Sequence, residues 1–130
     1  MSARQRQTND MPLVKATFRE LGAVTIIDLS GFFTIGESCA VLHRAIQESI
    51  GRKRNKIILN LRDVTAIDSA GVGVLVAAYT ALKARDGRLK LLNPPKKICD
   101  LLELTQLSKV LEVFAKEELA LRSFDSSQER

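Results

Sequence analysis

Residues 56–79 read K-I-I-L-N-L-R-D-V-T-A-I-D-S-A-G-V-G-V-L-V-A-A-Y, and their pattern sets how the rest of the chain is arranged. Ile57, Ile58, Leu59 and then Leu61 form an apolar run bounded by charge, the signature of a strand buried on both faces. A second apolar run, Val72 to Tyr79, continues through Ala81 and Leu82 and is long enough to be a helix with nearly all of its surface covered. Between the two lies Asp68-Ser69-Ala70-Gly71, and Asp and Ser are residue types that accept the unpaired N–H groups of a helix start. The pattern predicts a buried strand, a polar elbow and a buried helix. One hydroxyl, Ser69, stands at a helix N-terminus, where free amides and the helix dipole favour negative charge.

Working outward, residues 13–20 and 23–29 are rich in β-branched and aromatic side chains and flank Leu21-Gly22, which predicts two strands joined by a tight turn. Ser30-Gly31 is expected to end the second strand. Phe32 to Gly36 then reads as a loop that buries some of its bulky side chains. From Glu37, the spacing of Val41, Leu42, Ala45, Ile46 and Ile50 predicts an amphipathic helix stopped by Gly51. The central helix is expected to run to about Ala84 and to close at Asp86-Gly87. Residues 88–92 predict a short strand, residues 96–104 a helix opened by Pro95, residues 110–114 a last strand and residues 116–122 a last helix. An initial hairpin followed by alternating helices and strands implies one α/β domain, a mixed sheet with crossover helices. The expected limits are a loose tail at residues 1–10, the domain at 11–124 and a second tail at 125–130.

The totals bound the rest. A chain of 130 residues fits a single core, and 45% hydrophobic with 27% charged residues is ordinary for a soluble globular protein. The net charge of +5 is scattered among carboxylates rather than gathered on one element. Arg52-Lys53-Arg54 and Lys96-Lys97 carry no interleaved aromatics, so they read as solvated surface and direct nucleic-acid binding is not expected. No apolar run approaches the roughly 20 residues of a membrane span, and the polar N-terminus is not a signal peptide. The expected location is therefore cytoplasmic, without membrane insertion. Cys39 and Cys99 each sit alone in a predicted helix and read as small buried residues rather than a bridge. One histidine, His43, and two distant cysteines do not make a metal site. With no G-x-S-x-G elbow and no G-x-x-x-x-G-K-[ST] loop, neither a hydrolase nor a nucleotide hydrolase is expected, and no cofactor is implied.

Asp68-Ser69-x-Gly71-x-Gly73, following a strand that carries L-N-L-R-D-V, resembles the STAS domain, and specifically the bacterial anti-sigma factor antagonists. The resemblance runs from about Leu13 to Phe124. It implies that Ser69 is the residue a partner kinase phosphorylates. It further implies that the unphosphorylated protein binds an anti-sigma factor, usually a serine-protein kinase using ATP, and so frees a sigma factor for transcription. Asp68, Ala70, Gly71 and Val72 would then belong to the partner surface, together with Phe32 and Thr34. Ala70 replaces the second hydroxyl common in this motif, and Thr34 stands where the family pattern Gly-x-Leu-Asp carries a carboxylate. A homodimer is left open. The rival reading is a non-signalling STAS subunit of a lipid-transporting ABC complex.

An Asp-Ser pair before a helix is most often a cap and nothing more. Two features of these residues set this pair apart. Gly71 and Gly73 are poor helix formers in a first turn, costing up to about 1 kcal/mol each relative to Ala, and their missing side chains are expected to keep Ser69 open to an approaching partner. Counting Ser69 as the cap, Val72 occupies the position where a capping box would carry Glu or Gln.

Overall fold

A computed structural model describes residues 14–33 and 37–128, with side chains except those of 14, 32, 33, 37–39 and 125–128. The expected N-terminal tail and Thr34 lie outside the described residues. The elements are β1 (Val14–Leu21), β2 (Val24–Phe33), α1 (Glu37–Gly51), β3 (Lys56–Ile67), α2 (Ser69–Lys83), β4 (Arg88–Leu92), α3 (Lys96–Leu104), a 3-10 turn (Leu107–Lys109), β5 (Glu112–Phe114) and α4 (Glu117–Gln128). They form one five-stranded sheet in the order β1-β2-β3-β4-β5. Among the described residues only the β1–β2 hairpin is antiparallel, and every later pairing is parallel. Gly22, at φ 62°, supplies the left-handed backbone that a two-residue turn between Leu21 and Val24 needs.

Strand order follows chain order without reversal, so crossovers of one hand deliver α1, α2 and α3 to one face. There Leu42 and Ile46 of α1, Leu75 and Leu82 of α2, and Ile98 and Leu102 of α3 pack on Ile27, Leu29, Ile57, Leu59 and Leu91. Since side chains alternate along a strand, the intervening residues form a second core on the opposite face. Val24, Ile26, Ile58 and Leu92 meet Ala120 and Phe124 of α4.

α4 is tied to that face by charge as well. Arg19 of β1 donates from Nε to Asp28 Oδ2 at 2.6 Å and from Nη2 to Glu117 Oε1 at 2.9 Å, bridging the sheet to the start of the helix. Asn60 Nδ2 donates to Asp28 Oδ1 at 2.7 Å. Farther along, the Lys90 ammonium, on a residue only 1% exposed, donates to Ser123 Oγ at 2.8 Å and lies 4.5 Å from the centre of the Phe124 ring. Glu112 meets the same ammonium at 3.0 Å, so the buried charge is paired, the condition under which burying one is tolerable.

Several expectations are corrected. Ser30-Gly31 kinks β2 without ending it: register shifts follow Asp28 and Gly31, Gly31 takes φ 97°, and the strand continues through Phe33. The predicted loop at Phe32-Phe33 is strand because β3 also runs on, to Ile67, and offers it a partner. The last strand is shorter than residues 110–114, and the last helix continues past Arg122 to Gln128. Pro95 is the residue before the first turn of α3 rather than within it. Cys99 is free and half-buried, with its Sγ 3.5 Å from the Pro94 carbonyl, rather than fully buried. Cys39 lies in α1, as expected.

Two outcomes follow from this packing. The Arg19 hydrogen bonds hold the Asp28 carboxyl below the usual carboxylate range. A lowered acid pKa stabilises the fold above the unfolded value, about 3.9, and that contribution disappears as pH falls through the lowered pKa. Asp28→Asn should therefore be less stable at neutral pH and flatten the acid limb of a stability-versus-pH curve from urea melts. An unchanged acid limb would contradict the assignment. Ser49 is 2% exposed and its Oγ has no hydrogen-bond partner among the described residues. Removing an unsatisfied buried hydroxyl recovers part of its desolvation penalty of about 1–3 kcal/mol, so Ser49→Ala should raise Tm by a few degrees in calorimetry, and a lower Tm would count against an orphaned hydroxyl.

Candidate functional site

β3 outruns the sheet. It pairs with β4 only from Lys56 to Asn60, whereas its pairing with β2 continues to Ile67 opposite Phe33. At the point of departure, Asn60 turns from ladder to side-chain bonding: its Oδ1 accepts from Arg62 N at 3.2 Å. Beyond it the continuous burial that marks Ile57 to Leu59 ends: Leu61 and Val64 are buried, and Arg62, Asp63, Thr65 and Ala66 are exposed. The last seven residues of β3 continue as an arm about 20 Å long at the usual strand rise, paired with β2, which is itself backed by β1 as far as Gly31. α2 starts at the tip of this arm and runs back over the sheet.

Asp68 is the cap of α2. In extended backbone (φ −117°, ψ −169°), its Oδ1 accepts from Ala70 N at 2.9 Å and Gly71 N at 3.1 Å, and its carbonyl receives Val72 N at 2.9 Å. Ser69 is thus the first helical residue rather than the cap, and its side chain is exposed. This changes the electrostatics expected from sequence. The amides predicted to be available to an anion on Ser69 are already engaged by Asp68, so a phosphate there would lie beside a satisfied helix start and next to a carboxylate.

Of the sequence-predicted residues, the fold gathers Asp68, Ser69, Ala70, Gly71 and Val72 in one turn. It brings Phe32 alongside, since Phe32 pairs with Ala66 and Phe33 with Ile67 immediately before the cap. The two glycines part ways. Gly71 is buried against the core, whereas Gly73 is exposed and a Cβ added to it would meet nothing within 4 Å. Only Gly73 opens the surface in the way predicted for both.

α2 is also less covered than its apolar sequence suggests. Ser69, Gly73, Val76, Ala77 and Thr80 are exposed, and spacings of three and four place them on one lane of the helix. Val76 alone leaves 38% of its surface open. The lane could have been read in the sequence from its small residues at helical intervals, within a run that otherwise carries large aliphatics. His43 of α1 lines a shallow groove beside this lane with Val74 and Ala77, next to the middle of α2 rather than its start, where a triad with Ser69 would need it.

The chain belongs to the STAS domain family, whose model matches residues 15–120. An anti-sigma-B factor antagonist of Bacillus subtilis is 36% identical over 58 residues, which cover 45% of this chain and 53% of that protein. The chain thus spans about half the length of this relative. An anti-sigma-B factor antagonist of Listeria monocytogenes is 31% identical over 85 residues, covering 62% of this chain and 75% of that protein. Among solved structures, Bacillus SpoIIAA, an anti-sigma factor antagonist, superposes with a TM-score of 0.68 in both its unphosphorylated and phosphorylated forms. Those alignments cover 85% of this chain and 98% or 99% of SpoIIAA, at 22% and 23% identity. The mixed five-stranded sheet and its helices are the fold of this family.

Because Asp68 holds two helix amides, Asp68→Ala should cost about 0.5–2 kcal/mol of stability, read as a lower urea midpoint with an unchanged slope. A midpoint equal to that of the parent protein would show that the cap contributes nothing.

Proposed function

We propose that this protein is an anti-sigma factor antagonist, a binding module switched by phosphorylation of Ser69. Its unphosphorylated form binds an anti-sigma factor that is itself a serine-protein kinase, and so releases a sigma factor in the cytoplasm. The observation that carries the reading is an exposed hydroxyl on the first residue of α2, at one end of an open lane of mostly small side chains. The relatives, named as antagonists, supply the class of partner. Asp68, Ala70, Val72 and the β2 end at Phe32 border the docking surface in this reading, which continues along Gly73 and Val76.

The switch acts on the surface rather than on the fold. A phosphate adds roughly −1.5 to −2 charges to an exposed position whose neighbouring amides are satisfied by Asp68, so neither a core contact nor the cap is lost. A partner seated over the elbow meets that charge directly, beside a carboxylate, and desolvating it costs several kcal/mol. Ala70 leaves Ser69 as the only acceptor hydroxyl in the elbow.

The decisive experiment mixes the protein with ATP and serine kinases from the same cell, locates phosphate by mass spectrometry, and measures partner binding of Ser69→Asp. Phosphate is expected on Ser69. The variant is expected to melt within a few degrees of its parent and to bind at least about a hundredfold more weakly, a change of about 2.8 kcal/mol. A variant that unfolds, or that binds as tightly as the parent, would refute the switch.

A further inference from the structure

β5 is shorter than the strand it joins. Its pairing with β4 begins at Lys90 opposite Glu112, so among the described residues Arg88 and Leu89 have no strand on that side, although they pair with Lys56 and Ile57 on the other. The resulting notch is a cavity of about 520 Å³, bounded by the end of α2, the start of β4 and the chain at Val110. Sites for small molecules commonly fall between about 300 and 1,000 Å³.

Its lining is chemically mixed in an ordered way. At the mouth, Lys83 Nζ lies 3.3 Å from Tyr79 Oη and 5.6 Å from the centre of that ring, so α2 presents an ammonium and a phenol as one unit. Leu89 and Val110 supply apolar side walls. Lys90, a charged side chain almost wholly buried, also lines the cavity, with its charge met by Glu112.

We propose that this notch binds a small organic anion, a flat apolar ring bearing one phosphate or carboxylate. The ring lies between Leu89, Val110 and the face of Tyr79, and the anionic group meets Lys83 and the Tyr79 hydroxyl. The site is at the opposite end of α2 from Ser69, 14 residues or about 21 Å away along the helix. It therefore stands independently of the partner switch.

Phenyl phosphate is the probe, titrated into isotope-labelled protein and followed by amide chemical shifts, with inorganic phosphate and phenol as separate arms. Saturable shifts are expected at Tyr79, Gly87, Leu89 and Val110 with phenyl phosphate, and weaker responses to either half alone. Lys83→Ala should weaken binding about three- to fivefold, the worth of one exposed charge contact. Val110→Asp should abolish it by placing a carboxylate at the mouth. Both positions are exposed, and unchanged spectra elsewhere will verify folding. Ser69→Asp should bind the probe as its parent does. Shifts that do not saturate, that centre on the start of α2, or that inorganic phosphate reproduces in full would overturn the proposal. So would binding untouched by both Lys83→Ala and Val110→Asp.

Discussion

The middle strand, β3, is shut off from water on both faces between Ile57 and Leu59, and that constraint organises the molecule. Ile57, Ile58 and Leu59 are each 0% exposed. Because their side chains alternate in direction, the sheet requires cover on both faces. One cover is the layer of α1, α2 and α3, delivered by crossovers that advance in chain order. The other, among the described residues, is α4. A single helix buries few apolar residues, so its attachment is reinforced by the Arg19 bridge to Glu117 and by the Lys90 ammonium beneath Ser123 and Phe124.

The same strand explains where the candidate site stands. Had β3 ended with its β4 pairing at Asn60, the cap and the first turn of α2 would lie against the sheet margin. It continues with β2 instead, and the kink at Gly31 lets that partner follow. The turn carrying Ser69 is held at the end of an arm. There the labour is divided: Asp68 satisfies the helix start, Gly71 packs inward, and Ser69 and Gly73 are left exposed, relieved of both tasks. A position so relieved can change its charge at little cost to the fold.

Much of this was legible in the chain, because the strongest physical signals are local. The apolar run at Ile57 to Leu59, the helical spacing from Val41 to Ile50 and the Asp68-Ser69 elbow each specify an element regardless of what packs on it. Where the reading fell short, the deciding influence came from elsewhere in the sequence. The strand character of Phe32 and Phe33 depends on β3 extending to meet them, some 34 residues later. The inward role of Gly71 against the outward role of Gly73 depends on the angle at which α2 returns over the sheet. The exposed lane of Gly73, Val76 and Ala77 was masked by composition, since small apolar residues read as core whether or not another element packs on them. Lys90 carried a signal of its own, one lysine set among leucines in R-L-K-L-L, but its partners Glu112 and Ser123 come from two later elements.

The order of the strands also has a bearing on how the molecule is made. Each new strand adds to the edge beside its predecessor, so no pairing skips a strand, although the three parallel pairings join residues 22 to 34 apart and parallel sheets assemble slowly. The back of the sheet is different. Val24, Ile26 and Ile58 face α4, the last element described, and on a ribosome they would wait bare until it is synthesised. In that interval the growing chain shows an oily surface rimmed by Arg19, Asp28 and Lys90, and these charges guard it against self-association until they become the fastenings of its cover.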